Sequence, residues 1–497
     1  MTDTSLDIYC IAIGGTGMAP LACLLQELGH KVRGVDGPLY PPMSTLLSTA
    51  GIEPLVGYDE AHLRGDSASG QPDLVIVGNA VHRSNPEAVK AEEEGLERIS
   101  MPQAVARFLL RGRQSLVVSG THGKTTTTTL AAWVYDQCGR EPGYLIGGVP
   151  RNLQASFHLG SGKRFVIEGD EYNAAYFDRG PKFLHYRPES AILTSVEYDH
   201  ADLYPDPATL LRSYESLVRL LPAEGFLAAW GDSSQVRSVA SNAACPVVFY
   251  GMSETNEVHP RGGVAGVQEG PHGSRCELPG RHGWREVQVL APGRHNLLNA
   301  MAVWAVARRD GLPEDEVVGA LATFSGAKRR LEELGDHGGV IVVDDFAHHP
   351  TAVKASIAGL KSRYPDRRRV ILFEPRSLTA GRRMFQQAYS EAFAEAHRVL
   401  LAPIFHAARF EQEDLVDLQQ LVMDLESQGV SAHQCSDVEE VFRRALDEAQ
   451  PEDVVATMSS GAFGGMPHRL VAELRDRQHR NGEASEESTG TGPDQRD

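Results

Sequence analysis

A short glycine-bearing segment, GTHGKTTTTT, links an apolar run to a helix-like stretch between Gly120 and Thr129. Backbone N–H groups in such a loop, at the start of a helix, face phosphate oxygens. Lys124 supplies a positive charge for the β- and γ-phosphates, and Thr125 offers a hydroxyl to Mg²⁺. Val118 replaces the first glycine of the consensus G-x-x-x-x-G-K-[ST]. The segment predicts a nucleoside triphosphate site, and an ordinary strand–turn–helix connection is the alternative.

Two acidic segments follow buried-strand candidates further along the chain. Glu168 ends an apolar run and is followed closely by Asp170 and Glu171. A carboxylate at a strand end beside a phosphate loop suits a Mg²⁺ ligand or a base that orients a nucleophile. His200 lies among carboxylates in EYDHADLY, where it could complete a second divalent-metal site. A solvated polar turn is the alternative for each segment.

A second glycine turn, IAIGGTGM, lies near the N-terminus. Gly14, Gly15 and Gly17 separate a strand candidate from a helix candidate, where backbone could approach a pyrophosphate. The pattern G-x-G-x-x-G is incomplete, because Pro20 stands at the third glycine. Asp36 ends the next strand candidate and could accept a hydrogen bond from a ribose or a base. This turn indicates nucleotide binding less specifically than the first loop, and a tight βα turn is the alternative.

Amide and basic side chains occur in two later segments. Asn296 and Asn299 stand at a helix start in GRHNLLNA, where an amide could pair with the adenine edge. Asn296 could instead cap that helix. Arg329 or Arg330, in AKRRLEEL, could reach across a domain cleft to a γ-phosphate, or could lie on a solvated surface.

The segment VDDFAHHPT carries Asp344, Asp345, His348 and His349 between a buried-strand candidate and a helix candidate. A zinc site is conceivable there, but no cysteine accompanies these side chains. A polar active-site loop is the preferred interpretation, with Pro350 opening the helix.

Composition limits the possible classes of protein. The length of 497 residues predicts about three domains. The formal net charge of −18 disfavours nucleic acid as a general partner and gives no reason to expect binding to an anionic membrane. Six scattered cysteines form no C-x-x-C pair, which favours a reducing cytoplasm over a disulfide framework. We expect neither a signal peptide nor a membrane helix.

Strand-like and helix-like runs alternate along the chain, which predicts an α/β fold with parallel βαβ units. Residues 223–292 are rich in glycine, proline and short β-like runs, and we expect them to be irregular or antiparallel. Residues 477–497 are polar and lack an apolar face, so we expect disorder. The predicted strands are 8–13, 31–35, 74–77, 116–118, 165–167, 191–193, 340–343, 370–373, 399–401 and 454–458, and the predicted helices include 18–28, 296–308 and 352–361.

Taken in order, these motifs resemble the Mur ligase family, ATP-dependent amide-forming enzymes of peptidoglycan synthesis. The resemblance covers about residues 8–475 and includes a phosphate loop of the same short form, G-T-H-G-K-T. It implies a Rossmann-like UDP-sugar domain at 1–111 and a P-loop ATPase-like domain at 112–326. It further implies a Rossmann-like peptide domain at 327–476, which is followed by the tail at 477–497 that we expect to be disordered.

The resemblance also implies a role for each matching residue. The implied catalytic residues are Lys124, Glu168, His200, Arg330, Asp345 and His348. The implied ATP-binding residues are Gly120, Thr121, His122, Gly123, Lys124, Thr125, Thr126, Asn296, Asn299 and Arg330. The implied Mg²⁺ ligands are Thr125, Glu168 and His200. The implied UDP-sugar contacts are Gly14, Gly15, Gly17, Met18, Asp36 and Asn79, and the implied peptide contacts are Arg376 and Ser377.

Within the family, GGTGM and DDFAHHPT resemble two branches that act on UDP-N-acetylmuramate. One branch adds L-alanine, and the other attaches the recycled tripeptide L-Ala-γ-D-Glu-meso-diaminopimelate. YPPMST, EYNAAYFDRGPKFLHYRP, FEPRS and MSSGAFGG favour the tripeptide branch. The implied reaction uses ATP and Mg²⁺, forms an acyl phosphate and takes place in the cytoplasm, on a monomer or weak oligomer. The alternative to a ligase is a protein of another functional class, either an ATPase sensor or a dinucleotide oxidoreductase.

Two details of the implied chemistry stay open. A base must take a proton from the incoming ammonium, and His200 and His348 are candidates. Several Mur ligases carry a carbamylated lysine about fifteen residues past the position of His200, but residues 202–225 contain no lysine. Glu215 lies near that position, so either a carboxylate substitutes for the modified lysine or this branch works without one.

Overall fold

The computed structural model describes residues 5–64 and 70–489, with side chains described up to residue 480. The first sheet is built from β1 (Asp7–Ile11), β2 (Lys31–Asp36), β3 (Leu55–Val56), β4 (Leu74–Val77) and β5 (Arg98–Ser100). Its helices are α1 (Met18–Glu27), α2 (Met43–Thr49), α3 (Pro86–Glu93) and α4 (Met101–Ala104). The five strands are parallel in the order β3-β2-β1-β4-β5. The strand order reverses at β1, so a crevice opens beyond the ends of β1 and β4.

The central sheet has seven strands in the order β12-β11-β10-β6-β9-β7-β8, and only β8 is antiparallel. The strands are β6 (Gln114–Ser119), β7 (Gly143–Leu145), β8 (Phe157–His158), β9 (Arg164–Gly169), β10 (Ser190–Leu193), β11 (Phe226–Trp230) and β12 (Val247–Tyr250). The helices that follow or cover them are α5 (Lys124–Gln137), α6 (Pro207–Arg219) and α7 (Ser234–Ala240). Because β9 and β10 flank β6, the segments after all three strands meet at one edge of the sheet.

A small antiparallel sheet of β13 (Gln268–Gly270), β14 (Gly273–Gly280) and β15 (Gly283–Val289) completes the central region with α8 (Arg294–Arg309) and α9 (Glu314–Thr323). Helix α8 is buried over most of its length, and its fully buried Trp304 packs in the core beside α5. The prediction of antiparallel structure in 223–292 is therefore right for β13 to β15. It is wrong for β11 and β12, whose apolar residues extend the parallel sheet.

The third α/β sheet has the order β16-β17-β21-β18-β19-β20, with β16 alone antiparallel. Its strands are β16 (Glu332–His337), β17 (Val340–Asp345), β18 (Arg368–Phe373), β19 (Arg398–Leu401), β20 (Ser431–Gln434) and β21 (Asp453–Met458). Its helices are α10 (Pro350–Arg363), α11 (Gln386–Ala392), α12 (Leu418–Ser427), α13 (Val438–Glu448) and α14 (Met466–Thr489). The buried strands β17, β18 and β21 are apolar on both faces, as expected for a sheet covered by helices.

The prediction of an α/β fold with three such units is confirmed, and the exact domain boundaries stay a prediction. Helix α14 continues to Thr489, so the prediction of disorder is wrong for 477–489; residues 490–497 lie outside the described part of the chain. The Arg477 guanidinium donates a hydrogen bond to the carbonyl of Leu446, which holds the helix against the third unit. Within the described residues, no helix is long and apolar enough to cross a membrane.

Side-chain contacts join the three units near the carboxyl ends of their strands. Between the first and central units, Ser100 Oγ donates to Asp178 at 2.9 Å. Between the central and third units, the Thr351 hydroxyl donates to Glu197 at 2.5 Å. The central unit therefore touches both neighbours beside the edge at which its strands end.

Candidate active site

The loop between β6 and α5 requires glycine at two positions. Gly120 has φ +134° and Gly123 has φ +80°, both in the region that L side chains rarely adopt. A Cβ on Gly120 would lie 2.3 Å from the Thr194 hydroxyl, and one on Gly123 would lie 2.9 Å from Asn299 Oδ1. The loop therefore follows a tight path that brings its backbone to the N-terminus of α5, where N–H groups have no partner within the helix.

The other predicted residues of this loop mostly hold it in place. The Thr121 hydroxyl donates to the Glu197 carbonyl at 2.9 Å and accepts from the Glu197 N–H at 2.8 Å. The His122 N–H donates to Ser195 Oγ at 2.9 Å. Thr126 is buried in the first turn of α5. These contacts tie the loop to the segment after β10, so its backbone is held before any ligand arrives.

Lys124 lies in a buried network of charges. Its Nζ is 2.9 Å from Glu171 Oε2 and donates to the Gly120 carbonyl at 2.7 Å. His200 Nε2 lies 2.8 Å from the other oxygen of the same carboxylate. Burial alone would raise the pKa of Glu171, but Lys124 and His200 lower it to about 2. Burial alone would lower the pKa of Lys124 and of His200, but their carboxylate neighbours raise both.

Glu168 and Thr125 meet beside this network. The Thr125 hydroxyl donates to Glu168 Oε2 at 3.1 Å, and the Gly147 N–H donates to Glu168 Oε1 at 2.7 Å. Burial, followed by the charge of Asp170, raises the pKa of Glu168 to about 7. Glu168 is therefore a buried carboxylate with too little positive charge around it, and a threonine hydroxyl lies beside it. Oxygen atoms of these two kinds are the ligands that Mg²⁺ prefers. Of the three predicted ligands, the structure brings Thr125 and Glu168 together and directs His200 to Glu171.

Arg330 reaches this cluster from the third unit. Its Nη2 lies 3.4 Å from the Thr125 hydroxyl, across the boundary between the central and third units. Its guanidinium also packs over the Phe346 ring, 4.6 Å from the centroid. The Glu168 carboxylate is one of the charges that act on Arg330. The alternative of a solvated surface arginine is wrong, because Arg330 is half-buried and contacts Thr125 and the Phe346 ring.

Asp345 positions the segment that carries Arg330. Its two oxygens accept hydrogen bonds from the N–H groups of Leu331 and Ala347, each at 2.6 Å. Arg329 and Leu331 both have positive φ, +58° and +49°, and such strain persists only where surrounding contacts impose it. Asp345 therefore holds the strained turn that carries Arg330.

Two histidines approach one carboxylate from opposite sides of the cleft. Asp199 Oδ2 lies 3.9 Å from His200 Nε2 and 3.8 Å from His348 Nε2. Burial lowers the pKa of His348 below the usual value, although Asp199 opposes this. Burial therefore favours the neutral form of His348, whereas the carboxylates of Glu171 and Asp199 raise the pKa of His200 and favour its protonated form.

Comparison with known proteins shows the family to which this chain belongs. The Mur ligase family catalytic domain matches residues 7–113, the Mur ligase middle domain matches 118–307, and the Mur ligase glutamate ligase domain matches 329–461. A relative from Escherichia coli K12 is 38% identical over 94% of this chain and 98% of its own length. It is named UDP-N-acetylmuramate–L-alanyl-γ-D-glutamyl-meso-2,6-diaminoheptandioate ligase. The chain belongs to the Mur ligase family.

Solved structures share the arrangement of this Mur ligase. A murein peptide ligase from Psychrobacter arcticus matches with a TM-score of 0.69 and 31% identity, over 95% of this chain and 99% of that one. A UDP-N-acetylmuramate–alanine ligase from Thermotoga maritima matches with a TM-score of 0.76 over 95% of this chain and 100% of that one. Its identity is 21%, so it shows the fold alone.

Asn296 and Asn299 of this Mur ligase lie under the phosphate loop. Gly293, rather than Asn296, is the N-cap of α8, so the capping alternative is wrong. Asn296 Nδ2 donates to the Pro292 carbonyl at 2.7 Å, and Asn299 Nδ2 donates to Asn296 Oδ1 at 3.3 Å. Asn299 lies against Gly123, so Asn296 and Asn299 together support the loop. The contact of these two amides with adenine stays a prediction.

The N-terminal glycine turn is organised around Asp36. Its carboxylate accepts hydrogen bonds from the Gly14 N–H at 2.8 Å and the Gly37 N–H at 2.7 Å. The Tyr58 hydroxyl donates to the same carboxylate at 3.2 Å. Gly15 and Gly17 begin the turn into α1, whose Met18 is buried in the core. Asn79 is exposed just after β4, at the crevice beyond β1 and β4.

Arg376 and Ser377 lie beyond the carboxyl end of β18. The Arg376 guanidinium packs 3.8 Å from the centroid of the Phe405 ring, and Phe405 is 52% exposed. Arg376 Nη1 is 3.6 Å from Glu374 Oε1. The Ser377 hydroxyl accepts from the Ala380 N–H at 2.9 Å and so supports the local turn. Of the two predicted peptide contacts, Arg376 is the one that offers charge beside an exposed aromatic ring.

The sequence indicated Glu171, Glu197 and Asp199 only as carboxylates near the candidate metal ligands Glu168 and His200, and the structure places all three at the centre. Glu171 neutralises Lys124, Glu197 fixes the phosphate loop, and Asp199 lies between His200 and His348. The available signal was their position after β9 and β10, the strands that flank β6. Glu215 instead pairs with Arg219 at 3.1 Å along α6.

Proposed function

We propose that this Mur ligase joins UDP-N-acetylmuramate to the recycled tripeptide L-Ala-γ-D-Glu-meso-diaminopimelate, using ATP. The observation that carries the proposal is the 38% identity, over nearly the whole length of both chains, to a relative named for this reaction. The enclosure of Lys124, Glu168 and Arg330 around one loop supports phosphoryl transfer. We propose that residues 1–111 bind the UDP-sugar, residues 112–326 bind ATP and residues 327–476 bind the peptide. We place the enzyme in the cytoplasm, as a monomer or weak oligomer.

The proposed chemistry has two steps. An oxygen of the lactyl carboxylate attacks the γ-phosphorus of ATP, so ADP leaves and an acyl phosphate forms. The amine of L-Ala then attacks the acyl carbon, and inorganic phosphate leaves as the amide forms. Lys124 and Arg330 offset the charge of the transferring phosphoryl group. Mg²⁺, held by Thr125 and Glu168, would contribute further positive charge to the phosphate oxygens.

We assign the proton transfer to His348. The incoming ammonium must lose a proton before it attacks, and burial keeps the His348 imidazole in its neutral form by lowering its pKa. His200 is less suited, because its hydrogen bond to Glu171 raises its pKa and favours the protonated form. Asp345 acts as a positioning residue through the turn that carries Arg330.

The test is release of phosphate from ATP with UDP-N-acetylmuramate and each of two acceptors, L-alanine and the tripeptide. We expect kcat/KM to be at least about 100-fold higher with the tripeptide, with the ligated product seen by mass spectrometry. Preference for L-alanine would assign the protein to the alanine-adding reaction that the Thermotoga maritima neighbour is named for. Release that depends on neither acceptor nor UDP-sugar would favour an ATPase sensor and reject ligation.

A further inference from the structure

Three side chains from separate segments converge on the side of the phosphate loop that faces the third unit. His122 lies in the loop, Glu197 follows β10, and His349 is the N-cap of α10. One ligating atom from each lies within 4.8 Å of the other two. His122 Nε2 is 3.4 Å from Glu197 Oε2, and His349 Nδ1 is 3.7 Å from the same oxygen.

We propose that His122, Glu197 and His349 form a binding site for a transition-metal dication, with Zn²⁺ as the best-matched ion. Two imidazole nitrogens and one carboxylate oxygen are a known ligand set for zinc, whereas Mg²⁺ selects oxygen. Zinc–ligand bonds of about 2.0–2.1 Å place tetrahedral ligands about 3.3 Å apart. The two imidazole nitrogens lie 3.4 and 3.7 Å from Glu197 Oε2, close to this value, and all three ligating atoms lie within 4.8 Å of one another. Three protein ligands leave the fourth position to water or to a substrate atom.

The hydrogen bonding of these side chains leaves room for an ion. Within the described residues, His122 Nε2 is buried and makes no hydrogen bond of normal geometry, and the Glu197 carboxylate lies 3.4 Å from it. A buried nitrogen held this loosely by one carboxylate could gain a stronger partner in a metal ion. His349 is 5% exposed, and its Nδ1 accepts only a long bond of 3.3 Å from the Thr351 N–H. Glu197 Oε2 also accepts from the Thr351 hydroxyl, an outer contact of the kind that orients metal ligands.

The position of the site gives it a mechanical consequence. His122 and Glu197 belong to the central unit, and His349 begins a helix of the third unit. An ion bound to all three would join the two units beside the phosphate loop. Zinc binding should therefore hold the cleft closed, and it is distinct from the Mg²⁺ role assigned to Thr125 and Glu168. This inference does not depend on which acceptor the enzyme uses.

A second group in the described residues provides a control. His433, Cys435 and Glu440 also offer three clustered ligating atoms, and they lie on and between β20 and α13 of the third unit. Glu440 is already saturated there, since it accepts from Arg444 at 2.7 Å and from the Ser436 N–H at 2.7 Å. We expect this group to bind zinc weakly or not at all.

The test titrates the full-length metal-free protein with Zn²⁺ and with Co²⁺, in the presence of excess Mg²⁺. Calorimetry should show that one equivalent of Zn²⁺ binds tightly. Bound Co²⁺ should show the visible absorption of a tetrahedral site. Glu197→Gln and His349→Ala should each weaken Zn²⁺ binding by more than about 100-fold. The loss of a contact outside the ligand set would weaken it by roughly 10- to 100-fold. The control His433→Ala should bind as the unchanged protein does.

Anomalous diffraction at the zinc edge would locate the ion, and a thermal melt of each variant would check that it folds. A peak between His122, Glu197 and His349 is the expected result. Tight binding that survives Glu197→Gln and is lost in His433→Ala would overturn the assignment. Failure of folded, unchanged protein to bind Zn²⁺ in the presence of Mg²⁺ would also overturn it.

Discussion

Two strand–glycine–helix turns in this protein carry similar sequence signals but opposite charges. In the phosphate loop, the glycines have positive φ and the Lys124 ammonium lies at the start of α5. In the N-terminal turn, the Asp36 carboxylate accepts a hydrogen bond from the Gly14 N–H, and the φ angle of Gly14 is not positive. A cation attracts a triphosphate, whereas a carboxylate repels one and accepts hydroxyl or N–H donors. Glycine spacing alone therefore does not identify the ligand; the charged side chain that faces the glycines does.

Lys124→Ala should have the largest effect on the phosphate loop. Removal of the only lysine at that loop should lower the rate of phosphate release at least about 10³-fold, because the charge of the transferring phosphoryl group loses its main partner. The variant also leaves Glu171 buried opposite His200 alone, so a melting curve must accompany the assay. A folded variant that keeps its activity would show that the loop is not the triphosphate site.

Glu168→Gln should reduce activity about 100-fold while making the ligand-free protein more stable at alkaline pH. Burial raises the pKa of Glu168 to about 7, above the usual 4.5. The stability that this group contributes is therefore present below pH 4.5 and is lost as pH rises through about 7. We expect Tm to exceed that of the unchanged protein by about 3 °C or more at pH 8, with little difference at pH 4.5. Equal melting curves at both pH values would contradict the buried-charge explanation.

Gly120→Ala and Gly14→Ala form a matched pair across the two turns. At Gly120, the added Cβ would meet the Ser195 N atom at 2.7 Å, and the residue would keep φ +134°. This should cost about 1–3 kcal/mol of stability and abolish ATP binding. At Gly14, the added Cβ would meet the movable end of Leu39 at 2.0 Å and Asp36 Oδ2 at 2.9 Å, so side chains rather than backbone must shift. The loss of stability should therefore be smaller, and the KM for UDP-N-acetylmuramate should rise. The comparison fails if both variants lose stability equally in denaturant titrations.

Asp36→Asn should have the smallest effect. The amide keeps the shape of the carboxylate and one oxygen that accepts from Gly14 or Gly37, but it loses the negative charge. We expect the KM for UDP-N-acetylmuramate to rise about tenfold, the cost of weakening a charged hydrogen bond, with the KM for ATP unchanged. A change in the KM for ATP instead would place the triphosphate at the N-terminal turn.

The regular elements were predictable because their signals are local. Apolar runs such as 116–118 and 340–343 are long enough to cross a covered sheet, and the structure contains strands at both. The strands β11 and β12 were missed because glycines and prolines around them resemble a loop region. The end of α14 was missed because contacts such as that of Arg477 with Leu446 stabilise a segment without an apolar face.

The sequence by itself determined the phosphate loop, the order of the motifs and the family that they resemble, because turn chemistry and residue spacing are short-range properties. Only the tertiary structure decided which carboxylate faces Lys124, and it is Glu171, 47 positions away. It also decided that Asp345 supports the turn of Arg330, and that His122 meets Glu197 and His349. The physical reason is that parallel strands bring distant segments to one edge of a sheet. The order of strands in that sheet cannot be inferred from any single segment of the sequence.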